Sequence, residues 1–174
     1  MGAALVSPAQ PALSGDPRPT GDEPPLGGYA ALATVFVASI AAVLSALASE
    51  RRLPKDVSTR DLVLTGVATS RLARVLTRDR VAMPLRAPFA EYTGPGGPGE
   101  VHERPRGRGL QRAIGSLLTC PFCAAPWIAA GALVALELRP RVTRFVRGIF
   151  VSVTVADFVQ QLYVAARTLD GHRR

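Results

Sequence analysis

The chain has 174 residues, with 21 Lys+Arg against 13 Asp+Glu, a formal charge of +8 and 48% hydrophobic residues. That length allows one domain and little more, and the composition excludes a collagen-like or wholly disordered chain. Two cysteines are too few for a disulfide framework.

Residues 1–27 hold six prolines and no hydrophobic period, which predicts a disordered tail. The 22 residues 28–49 follow without one charged side chain. A bilayer core of roughly 30 Å needs about 20 helical residues, so this stretch predicts a first transmembrane helix. It starts too far into the chain, is too long and lacks a basic residue just before it for a cleaved signal peptide. An uncleaved anchor is expected.

Residues 50–112 carry 13 of the basic residues against seven acidic ones. Beginning with Arg51, Arg52, Lys55 and Arg60, this excess predicts a cytoplasmic region and an amino-terminal tail outside. Within it, 61–78 has a helical apolar face, and Arg71, Arg74 and Arg78 lie on one side at spacings of three and four. Such a helix can lie in the membrane interface with its arginines toward headgroups. Alternatively it is a short fourth span with costly charges held inside the bundle. The interfacial or half-buried reading is preferred. Pro84 and Pro88 predict an extended or turn-like stretch over 81–93, and the glycines and prolines of 94–109 predict a flexible loop. Gly94, Gly96 and Gly99 spell G-x-G-x-x-G, but interleaved prolines and the lack of a preceding strand remove any nucleotide-binding context.

Residues 113–136 are again free of charge, although Pro121 and Pro126 interrupt them. A short helix followed by a second span from Phe122 to Leu138 is expected, the whole unit covering 113–138. A basic linker, 139–147, holds Arg139, Arg141, Arg144 and Arg147; a third span, 148–166, and a short tail, 167–174, complete the chain. With three spans the linker falls outside, against the positive-inside trend. A fourth span at 62–77 would move it inside but leave the arginines of 78–112 outside. Since 13 basic residues outweigh four, the expected fold is an all-α integral membrane protein. It has about three transmembrane helices plus one amphipathic or half-buried helix.

Two local patterns could carry chemistry. Cys120-Pro121-Phe122-Cys123 places two sulfurs within disulfide reach at a helix start, where a thiol's pKa can fall. It reads as a proline-broken helix start with small apolar thiols, as a redox pair, or as half of a zinc site that a second subunit completes. Asp157 is the tenth of the 19 residues 148–166, with Gln160 and Gln161 one turn on. An ionisable side chain there is a candidate proton or ion site, a partner for Arg71 or Arg74, or part of an interhelical hydrogen-bond cluster. Trp127 reads as an anchor or packing residue. Only 6% of residues are aromatic and no DNA-binding motif accompanies the charge, so nucleic acid is not an expected partner. Anionic lipid accounts for arginines beside apolar spans.

Several segments together resemble a known family. They are Asp61-Leu62, Ala68-Thr69, Arg71-Leu72, Arg74, Asp79-Arg80-Val81, Leu85-Arg86-Ala87-Pro88-Phe89, and Cys120-Pro121-Phe122-Cys123 with Trp127. Over roughly residues 50–165 they resemble the domain of unknown function 1360 family, small bacterial membrane proteins that include a sporulation-associated member. The resemblance implies that Asp79, Arg80, Arg86, Pro88, Phe89, Cys120, Cys123 and Trp127 are motif positions, and it implies no catalytic role or cofactor. The resulting expectation is a multi-pass protein of the bacterial cell membrane with a structural or interaction role, partnered by lipid, by a second copy or by another membrane protein. The alternative is a membrane thiol protein acting through Cys120 and Cys123.

Overall fold

A computed structural model describes residues 24–49 and 57–171, with side chains to Thr168. Most of the expected disordered tail lies outside the described residues, as do Arg51, Arg52, Lys55, Arg173 and Arg174. The described chain is helical apart from one hairpin. Its elements are α1 (Leu26–Ser49), α2 (Thr59–Thr77), a 3₁₀ turn (Arg80–Ala82), α3 (Met83–Arg86), β1 (Ala90–Pro95), β2 (Val101–Pro105), α4 (Gly109–Thr119), α5 (Pro121–Leu138) and α6 (Pro140–Gly171).

Three helices among the described residues are long and apolar enough to cross a membrane: Leu26–Ser49, Pro121–Leu138 and Pro140–Thr168. The first begins two residues before the expected 28. The break between α4 and α5 falls at Cys120, whose backbone is extended, and Pro121 opens α5 at a position where its missing N–H costs nothing. The 139–147 segment is not a separate linker. Only Arg139 lies outside regular structure, and Arg141, Arg144 and Arg147 occupy the first turns of the 32-residue α6. That helix also runs through the expected tail to Gly171.

The expected flexible loop at 94–109 also differs. Its first half closes a β-hairpin, β1 pairing antiparallel with β2 from Ala90↔Pro105 to Pro95↔Val101, with a register shift between Tyr92 and Gly94. The turn closes through Gly96 N to Glu100 O (3.1 Å) and Glu100 N to Gly97 O (2.9 Å). Gly99 adopts φ 78°, a left-handed conformation that a side chain would strain. The glycines and prolines that read as flexibility serve this turn.

Helix directions follow from cross-chain contacts. Tyr29 Oη donates to Ser116 Oγ (3.1 Å), and the Phe36 and Trp127 rings meet edge-on at 4.9 Å. α1 therefore runs alongside α4 and then α5 in the same direction. α5 and α6 form a helical hairpin, fastened where Thr143 Oγ1 donates to Ala135 O (2.8 Å). α2 packs on both α5 and α6. Because Asp61 sits beside Arg147 and Arg71 beside Asp157, α2 is parallel to α6, in register over ten residues. Ten residues are about 15 Å of helix. The buried face of α2 is Thr65, Ala68, Thr69, Ala73 and Thr77, small side chains spaced to let neighbouring backbones approach. Close approach also joins α1 to α4: a Cβ on Gly28 would lie 2.7 Å from Ala113 Cβ.

Candidate functional site

Around the end of α2, a network built from motif residues holds the hairpin in place. Arg86 is 1% exposed. Its Nε donates to Glu103 Oε2 on β2, Nη1 to Leu76 O (2.8 Å) and Nη2 to Asp79 O (3.1 Å). One guanidinium thus satisfies a carbonyl of the last turn of α2, the next bend and a buried carboxylate, which matches its fixed fork of donors. The stretch after it is pinned by its carbonyls. Ala87 O accepts from Arg106 Nη1 (3.2 Å), Pro88 O from Gln111 Nε2 (2.9 Å) and Phe89 O from Arg106 N (2.9 Å). Gly115 on α4 lies so near that a Cβ there would run into Phe89 O. Arg80 contributes through its backbone N–H to Gly99 O (2.9 Å), and its side chain is exposed. Arg86 therefore ties α2 to the hairpin through its side chain, and Pro88 and Phe89 meet α4 and the end of β2 through their backbone carbonyls.

Beside this network opens a cleft of ≈ 1050 Å³ between the second half of α2, the start of α5, the second half of α6 and the turn of the hairpin. At its inner end, Arg71 Nη1 lies 3.1 Å from Asp157 Oδ2, and Arg71 Nη2 lies 3.7 Å from Asp79 Oδ2. Nearer the hairpin, Arg74 Nη2 pairs with Glu100 Oε1 at 2.6 Å. Gln160 and Gln161 line the same cleft, and their side-chain amides make no hydrogen bond to other described residues. Phe122, Phe158 and Val164 form an apolar wall. The expected partnership of Asp157 with Arg71 is present, and Arg74 takes Glu100 instead. At the other end of α2, Asp61 meets Arg147 (2.8 Å) and Arg144 (3.6 Å). The hydrogen bond from Arg147 and both positive charges hold its carboxyl below the ordinary value of 3.8, with burial opposing.

Glu100 and Glu103 carried no site signal in the sequence, whereas Asp61 stood among the resemblance positions. Both glutamates lie in the Gly/Pro-rich stretch, and the hairpin fold is what brings them to Arg74 and Arg86.

Cys120 and Cys123 are a near pair of free thiols with Sγ atoms 2.6 Å apart, and Cys120 Sγ accepts from the Cys123 N–H (3.3 Å) as an N-cap. They flank the cleft without lining it, whereas Pro121 and Phe122 between them do line it. Among the described residues no group of three or more His, Cys, Asp or Glu side chains is arranged to hold a metal ion. Trp127 packs against Phe36 and so joins α5 to α1.

Residues 64–163 match the profile of a family described as Protein of unknown function (DUF1360). The chain is similar to "Sporulation protein YjcA" of Bacillus subtilis (strain 168), at 28% identity over 104 residues covering 58% of this chain and 88% of that protein. No solved structure matches it.

Proposed function

This chain belongs to that family of unknown function, and we propose that it acts as a multi-pass bacterial membrane protein with a structural or partner-binding role. One observation carries the reading, the inverted arrangement of α6. Its polar Thr143, Arg147, Thr154 and Asp157 are half-buried, with Phe150 and Val151, while Val146, Ile149, Val153, Val155, Phe158 and Val159 are exposed, with Arg144 and Ser152. Water would favour the opposite distribution. Lipid favours this one, because charged side chains in a membrane helix face the bundle.

The register of α2 with α6 extends the reading. Whatever depth Arg147 and Asp157 occupy, Asp61 and Arg71 share it. Residues 62–77 then form a fourth embedded helix, with Arg71 neutralised by Asp157. This arrangement favours the costlier of the two sequence-level alternatives over the interfacial one. The end of α1, the start of α2 and the α5–α6 turn come to one side of the membrane. Hairpin, α4, the start of α1 and the end of α6 come to the other. Such grouping brings Arg139, Arg141, Arg144 and Arg147 to the side of Arg60 and leaves the seven arginines from Arg78 to Arg112 opposite, where the positive-inside trend does not favour them. Of the hairpin arginines left opposite, Arg86 and Arg104 are paired with Glu103 and Glu91. Reporter fusions after residues 55, 95, 142 and 170 test it. Residues 55 and 142 should report one side, 95 and 170 the other; 55 and 95 on the same side would end the four-helix arrangement.

A second reading rests on the 2.6 Å separation of Cys120 and Cys123. A dithiol so placed can close to a disulfide, passing two electrons and two protons to a quinone or disulfide acceptor. A Cys120→Ser/Cys123→Ser protein that matches wild type in cells would remove this reading.

A further inference from the structure

We propose that the cleft between α2, α5, α6 and the hairpin turn binds one membrane lipid whose head carries both an ammonium and a phosphate, an aminophospholipid of the phosphatidylethanolamine type. The inference rests on the membrane reading above and adds a ligand to it.

Three features of the cleft select this chemistry. The first is its charge. Asp79, Glu100 and Asp157 face only Arg71 and Arg74, leaving one carboxylate in excess. Asp79 is the least engaged of the three, at 3.7 Å from its arginine. A purely anionic head would meet that excess unfavourably, whereas an ammonium donates three hydrogen bonds to it. A choline head presents no N–H and cannot. Arg74, 58% exposed along its side chain, remains free to turn its other donors to a phosphate.

The second feature is the order of groups along α6. Asp157 with Arg71 and Asp79 lies at the inner end, and Gln160 and Gln161 stand one turn along α6 toward the hairpin, level with the Arg74–Glu100 pair by the register of α2 with α6. Two amides whose side chains have no hydrogen-bond partner among the described residues stand where the ester carbonyls of a glycerolipid would follow its head. The third is the wall. Phe122 is 87% exposed and Phe158 64% exposed, an apolar surface that acyl chains would cover. A volume of ≈ 1050 Å³ suits a head and glycerol with the upper part of its chains.

The test is native mass spectrometry of the full chain released from nanodiscs holding equal parts of phosphatidylethanolamine, phosphatidylcholine and phosphatidylglycerol. Wild type should retain phosphatidylethanolamine over each of the others by about tenfold, the worth of one charge-assisted hydrogen bond. Glu100→Gln should erase the preference. Phe122→Ala, at an exposed position that leaves the fold intact, should lower retention of all three lipids together. Equal retention by wild type, preference for phosphatidylglycerol, or a preference that survives both Glu100→Gln and Phe122→Ala overturns the proposal. Failure of wild type to enter nanodiscs at all would instead overturn the membrane reading.

Discussion

Arg71 Nη1 and Asp157 Oδ2 stand 3.1 Å apart, joining α2 to the middle of the most apolar stretch of α6. Their side chains are 23% and 39% exposed, so the pair is neither a solvated surface contact nor a sealed one. Its partner at the far end of the same two helices, Asp61 with Arg147, fixes the register between them. Charge thus does for α2 and α6 what apolar interdigitation does for helices in water.

Removing one member of the Arg71–Asp157 pair should cost between the values for exposed and buried ion pairs, about 1–3 kcal/mol. Asp157→Asn and Arg71→Gln should each lower the unfolding midpoint in detergent. The double replacement Arg71→Met/Asp157→Leu should recover most of the loss, because no charge is left unpaired. Additive losses in the double variant would show that the two residues do not act as a pair.

Arg86 should be the least replaceable residue of the hairpin end. Truncation to Ala leaves Glu103 buried at 3% side-chain exposure and frees two carbonyls, a loss of about 3–5 kcal/mol. Arg86→Lys should rescue little, since one ammonium cannot reach three acceptors set for a planar fork. Amide hydrogen exchange in β1 and β2 reads the effect directly, and unchanged protection in Arg86→Ala would refute it.

Gly115→Ala should destabilise by about 1–3 kcal/mol, since its Cβ collides with Phe89 O and backbone cannot step aside cheaply. Gly66 is the internal control: nothing lies within 4 Å of a Cβ there, so Gly66→Ala should be neutral or stabilising by up to about 1 kcal/mol. Thermal unfolding of the two variants in one detergent separates steric cost from helix propensity. Equal effects would sink the packing account.

Asp61 supplies the pH dependence. Its folded-state pKa is depressed by Arg147 and Arg144, so its contribution is present above the unfolded value. That contribution fades as pH falls through the folded value, which lies below 3.8. The difference in stability between wild type and Asp61→Asn should therefore be constant near neutrality and shrink below about pH 4. A difference that grows on acidification would reverse the assignment.

Mild oxidation should remove Cys120 and Cys123 from thiol labelling together and without dimer formation, given their 2.6 Å separation. One thiol left reactive, or a covalent dimer, would show that the two sulfurs do not close on each other.

Much of the architecture was legible in local pattern. Charge-free stretches marked α1, α5 and α6, Pro121 marked the break between α4 and α5, and Asp157 stood out as the lone acid of its span. The motif Leu85-Arg86-Ala87-Pro88-Phe89 was visible as a motif, but its purpose was not. Gly- and Pro-rich composition misled over 94–109, because residues that loosen a chain also close a tight hairpin turn.

The sequence by itself determined the apolar helices α1 and α5, the apolar middle of α6 and the amphipathic α2, because helix formation and hydropathy depend on side chains a few positions apart. Only the tertiary structure decided where the charges go. Asp61 and Arg147 are 86 residues apart, and no periodicity relates them or joins Arg86 to Glu103. Ion pairing between helices depends on which faces packing brings together, and the small face of α2 lets α5 and α6 approach closely enough for the pairs to form. The net charge of +8 read as a basic surface. Folding turns part of that charge inward, where arginines bind α2, α6 and the hairpin into one unit and line its cleft.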